Sequence, residues 1–139
     1  MTWLRPLPTI SPENAPFFAG LREHKFKVPR CLDCGDYNWT PYPACRSCLS
    51  TRQEWVQVSG KGTLHTFSVI HVGPKAFMQD GPYVWAFAKL VESPRPIIVM
   101  GNLVGCEHAA IRIDMPLRIE YHDVPGHDMT LYHFRAEQA

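Results

Sequence analysis

CLDCGDYNWTPYPACRSC, residues 31–48, carries four of the chain's five cysteines as two Cys-x-x-Cys pairs with ten residues between them. Two residues between paired cysteines let a tight turn aim both sulfurs at one ion, leaving two tetrahedral positions for the second pair. Gly35 follows Cys34, as a turn needing positive φ would want. Leu49 follows Cys48 in place of a glycine, which predicts a less regular second knuckle. The intervening GDYNWTPYPA, short, aromatic and proline-bearing, reads as the hairpin of a zinc ribbon. A thioredoxin-type reading expects one Cys-x-x-Cys on a βαβ unit, and two disulfides need an oxidising compartment. The doubled motif points instead to a structural zinc ion, or iron in a rubredoxin-like site, held by Cys31, Cys34, Cys45 and Cys48. Four protein sulfurs close the shell to water, so the metal staples the module and does no chemistry. Lys25, Lys27, Arg30, Arg46 and Arg52 surround the motif and offset its thiolate charge.

Upstream of the cysteines, residues 1–10 form a proline-punctuated arm, with Trp3 and Leu4 needing cover. A helix is predicted from SPEN, with Ser11 as N-cap and Pro12 in the first turn, running through APFFAGLREH. Phe17, Phe18 and Leu21 give it an apolar stripe. Downstream the texture changes to strands: EWVQV, TLHTFSVIHV, YVWAFAKLVE, PIIVMGNLV, LRIEYHDV and MTLYHFRA. GPKAFMQDGP is loop-like, and CEHAAIRIDMP between two strands has room for a helical turn. Short strands with a helical insert midway favour a small closed barrel of the oligonucleotide/oligosaccharide-binding (OB) type. The expected fold is therefore mainly β: an N-terminal arm and helix over 1–30, a rubredoxin-like zinc ribbon over 31–53, and a C-terminal OB-fold β-barrel over 54–139.

Charge narrows the function. Fourteen Lys+Arg against 13 Asp+Glu leave a net +1, and a zinc ion with four thiolates would bring that to about −1. A dedicated nucleic-acid binder shows a strong basic excess. A single-stranded nucleic-acid-binding module stays open as the alternative, with Phe67 and Trp85 as its stacking pair. MTWLRPLPTI has no continuous apolar run, and YVWAFA and PIIVMGNLVGC are far too short to span a bilayer, so the expected location is the cytoplasm, away from membranes.

Catalytic constellations are hard to find. His65 and His71 lie six residues apart on one strand, a separation of roughly 20 Å. His122, His127 and His133 fall near a predicted hairpin with no carboxylate at ligand spacing, and Asp114, Glu120 and Asp123 read as solvated charges. Cys106 in GCEH has His108 as a neighbour, but catalytic pairs assemble across a fold and seldom along a chain. The chain alone is expected to catalyse nothing.

The order of these features carries a resemblance. FFAGLREHKFKVPRCLDCG, PYPACRSCLS, WVQVSGKGTLHTFSVIHV, PYVWAFAKLVE, GNLVGCEHAAIRIDMPLRIEYHDV and LYHFRA, together about residues 15–136, resemble the zinc-ribbon/OB-fold acyl-CoA-associated family, formerly a domain of unknown function. The resemblance implies a non-catalytic accessory subunit of a thiolase-type acyl-CoA C-acyltransferase complex, with the catalytic residues in the partner. A subunit of an aldolase/hydratase complex acting on acyl-CoA is the alternative it leaves open. It also implies a barrel that guides the pantetheine arm and a ribbon that docks the thiolase-superfamily subunit. A pantetheine arm suits an apolar groove with few polar groups. Lys61, Lys75 and Arg95 are the candidates for CoA phosphate contacts, and Phe77 and Phe87 for groove walls. Trp3, Leu4, Trp39 and Tyr42 are the candidate anchors for a partner.

Overall fold

Prolines and one asparagine set the first boundaries. The computed structural model describes residues 3–92 and 95–137. Residues 3–10 run without regular structure, and helix α1 spans Ala15–Arg22. It begins four residues later than Ser11, because the Asn14 side chain accepts the Ser11 N–H at 2.7 Å and holds residues 11–14 in a turn. Asn14 is the N-cap residue, and Pro16 sits in the first turn, where its missing N–H costs nothing. The helix stops at a Schellman-type end: His24 adopts φ 58°, its N–H bonds Leu21 O, and the Lys25 N–H bonds Gly20 O.

Strands β1 (Phe26–Cys31) and β2 (Gln53–Val58) pair antiparallel, Phe26 with Val58 through Cys31 with Gln53. This two-stranded ribbon holds the cysteine knuckles at its end. Residues 35–44, expected as the ribbon's hairpin, form an irregular loop with one isolated bridge between Arg30 and Tyr37. Pro41 and Pro43 remove two ladder donors there, so the segment cannot pair along its length. Conversely KFKVPR, given no element from the sequence, is β1; Pro29 stands opposite Trp55, on a strand whose second edge carries only the Arg30–Tyr37 bridge.

The remaining strands are β3 (Lys61–Ile70), β4 (Tyr83–Leu90), β5 (Ile98–Val104), β6 (Pro116–Asp123) and β7 (Thr130–Ala136). They close a barrel in the order β3-β4-β5-β7-β6, with β6 returning to β3 and β5 running parallel to β7. The connection between β5 and β6 holds the expected helical turn, a single 3₁₀ turn at His108–Ala110. A second 3₁₀ turn, Lys75–Phe77, lies in the loop between β3 and β4. Five strands in this order are the OB architecture.

Alternation along each strand fills the barrel. Val84, Ala86, Ala88 and Leu90 face inward from β4, and Val99, Gly101 and Leu103 from β5. The small residues make room for the fully buried Phe134: a Cβ on Gly101 would come within 2.9 Å of its ring. The core continues without a break through Phe17, Phe18, Leu21 and Phe26, so α1 and β1 share one hydrophobic cluster with the barrel. Phe26 is the junction, its ring 5.2 Å from Phe17, 5.5 Å from Trp39 and 5.1 Å from Tyr132.

Candidate functional site: a sulfur cage and a cleft on the barrel

The four ribbon sulfurs lie within 4.8 Å of one another, with Cys31–Cys48 at 3.5 Å and Cys34–Cys45 at 3.6 Å. A zinc–sulfur bond of about 2.3 Å in a tetrahedron requires sulfurs roughly 3.8 Å apart, so the cage fits one zinc ion. Two nearly superimposable knuckles build it. Gly35 and Leu49 donate to Cys31 O and Cys45 O at 3.0 Å each, and Cys31 and Cys45 donate to Asp36 O and Ser50 O at 2.8 Å each. Leu49 adopts φ 63° against 78° for Gly35, so the second knuckle is as regular as the first despite its leucine. Left-handed backbone costs a non-glycine residue about 1–2 kcal/mol, partly offset by glycine's greater freedom when unfolded. Leu49→Gly should therefore raise the stability of the zinc-loaded protein by about 0.5 kcal/mol, read as a higher urea midpoint; a lower midpoint would count against this account.

The electrostatics call for a cation. Burial opposes ionising Cys45, but the N–H groups of Cys48 and Ser47 aim at its sulfur and bring the thiol down to about 6. The Cys34 N–H likewise lowers Cys31, at 3.4 Å from its sulfur. The Asp36 N–H favours a thiolate at Cys34, yet burial and the adjoining thiols push it up to about 12. Four ionised sulfurs at one point repel, and a divalent ion replaces the protons that would otherwise separate them. Around the cage, Arg52 pairs with Asp33 at 2.8 Å, Arg46 with Asp36 at 3.4 Å, and the Arg30 Nε donates to Gly35 O at 3.0 Å. Lys25 is paired with Glu23 at 3.3 Å.

The second site is a cleft of about 380 Å³ between the N-terminal arm, α1 and the outer face of β4 and β5. Trp85, Met100 and Asn102 form its floor, and Phe77 from the β3–β4 loop forms one wall. Arg5 closes the roof, its guanidinium 5.7 Å from the Trp3 ring and 5.6 Å from Phe77. A second hollow, lined by Ile70, Pro74 and Tyr83, shares Phe77, Trp85 and Asn102 with it, so the groove is elongated. Asn102 Oδ1 and Trp3 Nε1 are buried here without a hydrogen-bond partner, an arrangement that costs free energy unless something else supplies one. The face of the second and third barrel strands, with the loop between the first and second, is where OB folds take their ligands.

Sequence reasoning missed a polar cluster that adjoins this cleft through His122. Arg118, Glu120 and His122 point outward from β6, and Leu131, His133 and Arg135 from β7, with Glu120 directly opposite His133. Glu120, expected as a solvated charge, accepts from Arg135 Nε and Arg118 at 2.8 Å each and from His133 Nε2 at 3.1 Å. His133 Nδ1 in turn lies 3.3 Å from His122 Nδ1. A carboxylate does join the histidines, two residues from His122 on the same strand, a spacing that alternation makes a neighbour rather than a distant charge. Arg135, then Arg118, then His133 draw the Glu120 carboxyl down to about 2, against the pull of burial. A depressed carboxyl contributes stability that is complete above its ordinary value of 4.5 and fades as pH falls toward 2. Wild type should therefore lose stability across that window and Glu120→Gln should lose less, checked by urea midpoints at stepped pH; identical slopes would refute it.

The other expected residues distribute as follows. Phe77 lines the cleft, Lys75 opens the turn that carries it, and Phe87 stands opposite Met100 on the same strand pair. Lys61 starts β3 opposite Arg118, and Arg95 lies against the ribbon, paired with Asp36 at 3.5 Å, so the five are not gathered on one surface. Trp3 lines the cleft and Trp39 packs on Phe17 at 5.0 Å, while Leu4 and Tyr42 are exposed. Trp85 stands opposite Ser68 rather than Phe67, so the two aromatics do not form a cross-strand pair. Cys106 Sγ rests against Glu107 O at 3.4 Å with no histidine bonded to it among the described residues. Among those residues no helix is long and apolar enough to cross a membrane.

A closed sulfur cage on a two-stranded ribbon, packed against a five-stranded barrel with an apolar cleft, defines a zinc-ribbon/OB-fold protein. Residues 18–54 match the family model for the ChsH2 rubredoxin-like zinc ribbon domain, and residues 55–122 that for the ChsH2 C-terminal OB-fold domain. The chain belongs to this ChsH2 family, also called DUF35. It is 33% identical over 131 residues to the 3-oxo-4,17-pregnadiene-20-carboxyl-CoA hydratase alpha subunit of Mycobacterium tuberculosis, covering 94% of this chain and 40% of that one. The benzoylsuccinyl-CoA thiolase subunit BbsA of Geobacter metallireducens is 25% identical over 99 residues, 69% of this chain and 66% of that one. A solved Ltp2-ChsH2(DUF35) aldolase superposes with a TM-score of 0.81 at 30% identity, covering 94% of this chain and 98% of the matched one. The chain spans about two fifths of the length of the hydratase alpha subunits it matches.

Proposed function

We propose that this chain is the non-catalytic accessory subunit of an acyl-CoA C-acyltransferase complex whose active site belongs to a thiolase-superfamily partner. In this reading the cleft receives the pantetheine arm or the acyl portion of the thioester, and the ribbon docks the catalytic subunit. The observation that carries it is the elongated apolar groove on the ligand-taking face of the barrel. A pantetheine arm, narrow and amphipathic, suits such a groove. The metal cage offers no open position, which leaves the bond-making chemistry to the partner. Lys75, Phe77 and Phe87 bear on the groove in this proposal, whereas Lys61 and Arg95 would act only through a surface completed by the partner.

A subunit of an aldolase/hydratase complex is the second reading, favoured by the near-complete overlap with the aldolase structure. The two differ in partner and reaction, not in what this chain does. The test is to co-express the chain with a neighbouring thiolase-type gene and compare acyl-CoA turnover with and without it. Turnover should fall at least about tenfold when the chain is omitted, the loss expected when a substrate is no longer positioned. Undiminished turnover, with no co-purification, would sink the proposal.

A further inference from the structure

Among the described residues, Arg5 is the one Lys, Arg, Asp or Glu that lines either hollow of the groove. Its guanidinium lies 5.7 Å from the Trp3 ring and 5.6 Å from Phe77, and among those residues it has no ion-pair or hydrogen-bond partner. A cation–π contact uses the charge and leaves the planar N–H fork for another group. That fork matches a carboxylate, and apolar walls strengthen such a pair. His122, the other titratable nitrogen on the walls, is held below its ordinary value of 6.5 chiefly by burial, so it is neutral at pH 8. The groove therefore offers one positive charge and no negative one. The rest of its lining describes the body of a ligand. Phe77 and Trp85 belong to both hollows, with Trp3 on one side and Tyr83 on the other. Trp85 and Met100 are 36% and 40% exposed, so a ring laid across them gains apolar burial and aromatic contact.

We propose that the cleft selects acyl bodies carrying a second, free carboxylate: a ring-bearing acyl chain lies on Trp85, Phe77 and Met100, and its carboxylate meets Arg5. The inference rests on the acyl-CoA reading, and within it gives the cleft to the acyl portion and not to the pantetheine arm. Charge favours that choice. A pantetheine arm ends in phosphate, with a charge of about −2, which one guanidinium would leave half neutralised. A carboxylate is matched charge for charge. Shape favours it too, because aromatic walls present faces to a ring that the aliphatic pantetheine chain lacks. Arg5 is then a specificity residue that touches the substrate, while bond making stays with the partner.

The experiment uses the full zinc-loaded chain at pH 8. 4-Phenylbutyrate, its neutral isostere 4-phenylbutanamide and pantetheine 4′-phosphate are titrated separately, with the Met100 methyl resonance as a readout located in the cleft. The acid should shift that resonance and bind about tenfold more tightly than the amide, the low end for a hydrogen bond to a charged group. Arg5→Gln should remove that tenfold advantage and leave the amide unchanged, whereas Arg5→Lys, which keeps the charge without the fork, should retain part of it. Trp85→Ala should weaken acid and amide alike, since both use the aromatic floor. Equal binding of acid and amide, an acid affinity unmoved by Arg5→Gln, or a Met100 methyl unmoved by the acid each overturns the inference. Pantetheine 4′-phosphate binding more tightly than the acid, with Arg5→Gln abolishing it, would assign the anion to the phosphate and overturn the choice of the acyl body. Full partner turnover without this chain would overturn the accessory role alone, because these affinities are read on the isolated chain.

Discussion

Stripping the metal with a chelator is expected to unfold residues 26–58 while the barrel strands stay paired. The ribbon has two strands and a long irregular loop, too little apolar material to fold by itself. Cys31 and Cys45 are buried at 2% and 0% exposure, so without an ion their thiols form a small polar interior. Zinc binding to small four-ligand modules contributes on the order of 10 kcal/mol, comparable with the whole stability of an ordinary domain. Near-ultraviolet circular dichroism should lose the signal of Trp39 and Trp55, which pack in and around the ribbon. Backbone resonances of β3 to β7 should stay dispersed, though those near Tyr132 should move as Phe26 withdraws. Cys45→Ser should reproduce the effect with zinc present. A chelated protein with unchanged ribbon resonances, confirmed metal-free by elemental analysis, would refute the staple.

What the sequence made legible follows from how local each signal is. The cage was legible because a doubled Cys-x-x-Cys has one economical geometric solution. The barrel strands were legible through alternation, and Val84, Ala86, Ala88 and Leu90 do face one way. β1 was not read from the sequence: it contains Pro29, a residue that normally argues against a strand and is tolerated here on a two-stranded ribbon whose other edge carries one isolated bridge. The regularity of the second knuckle was hidden because a residue-level preference for glycine says nothing about a leucine made to adopt φ 63° by two hydrogen bonds on either side. The cleft escaped for a deeper reason. Its floor, wall and roof come from Trp85, Phe77 and Arg5, which no periodicity relates. The carboxylate–histidine cluster depends on the register of β6 against β7, which pairs Glu120 with His133 and cannot be read from either strand alone.

Register and packing also explain why one apolar residue between the two modules should matter more than any residue inside the cleft. Phe26→Ala is expected to cost about 3–5 kcal/mol, the range for removing a buried aromatic ring. Phe26 is fully buried, and its edge-on contacts reach helix α1 through Phe17 and the barrel through Tyr132. Tyr132 is itself held, its hydroxyl donating to Met100 O, with burial raising the pKa of that hydroxyl. Removing the ring therefore empties the junction where ribbon, helix and barrel share a core, and the surrounding strands are too constrained to close the gap. Two consequences separate this from a generic core defect. Unfolding followed at Trp39 and Trp55 in the ribbon should precede unfolding followed at Trp85 in the barrel, whereas the zinc-loaded wild type should give coincident transitions. Phe26→Leu, which retains most of the volume, should cost about 1.5 kcal/mol and keep the transitions together. Urea titrations with single-tryptophan variants make the comparison. If Phe26→Ala loses less than about 1 kcal/mol, or the two probes still coincide, the ribbon and the barrel are not joined through this residue.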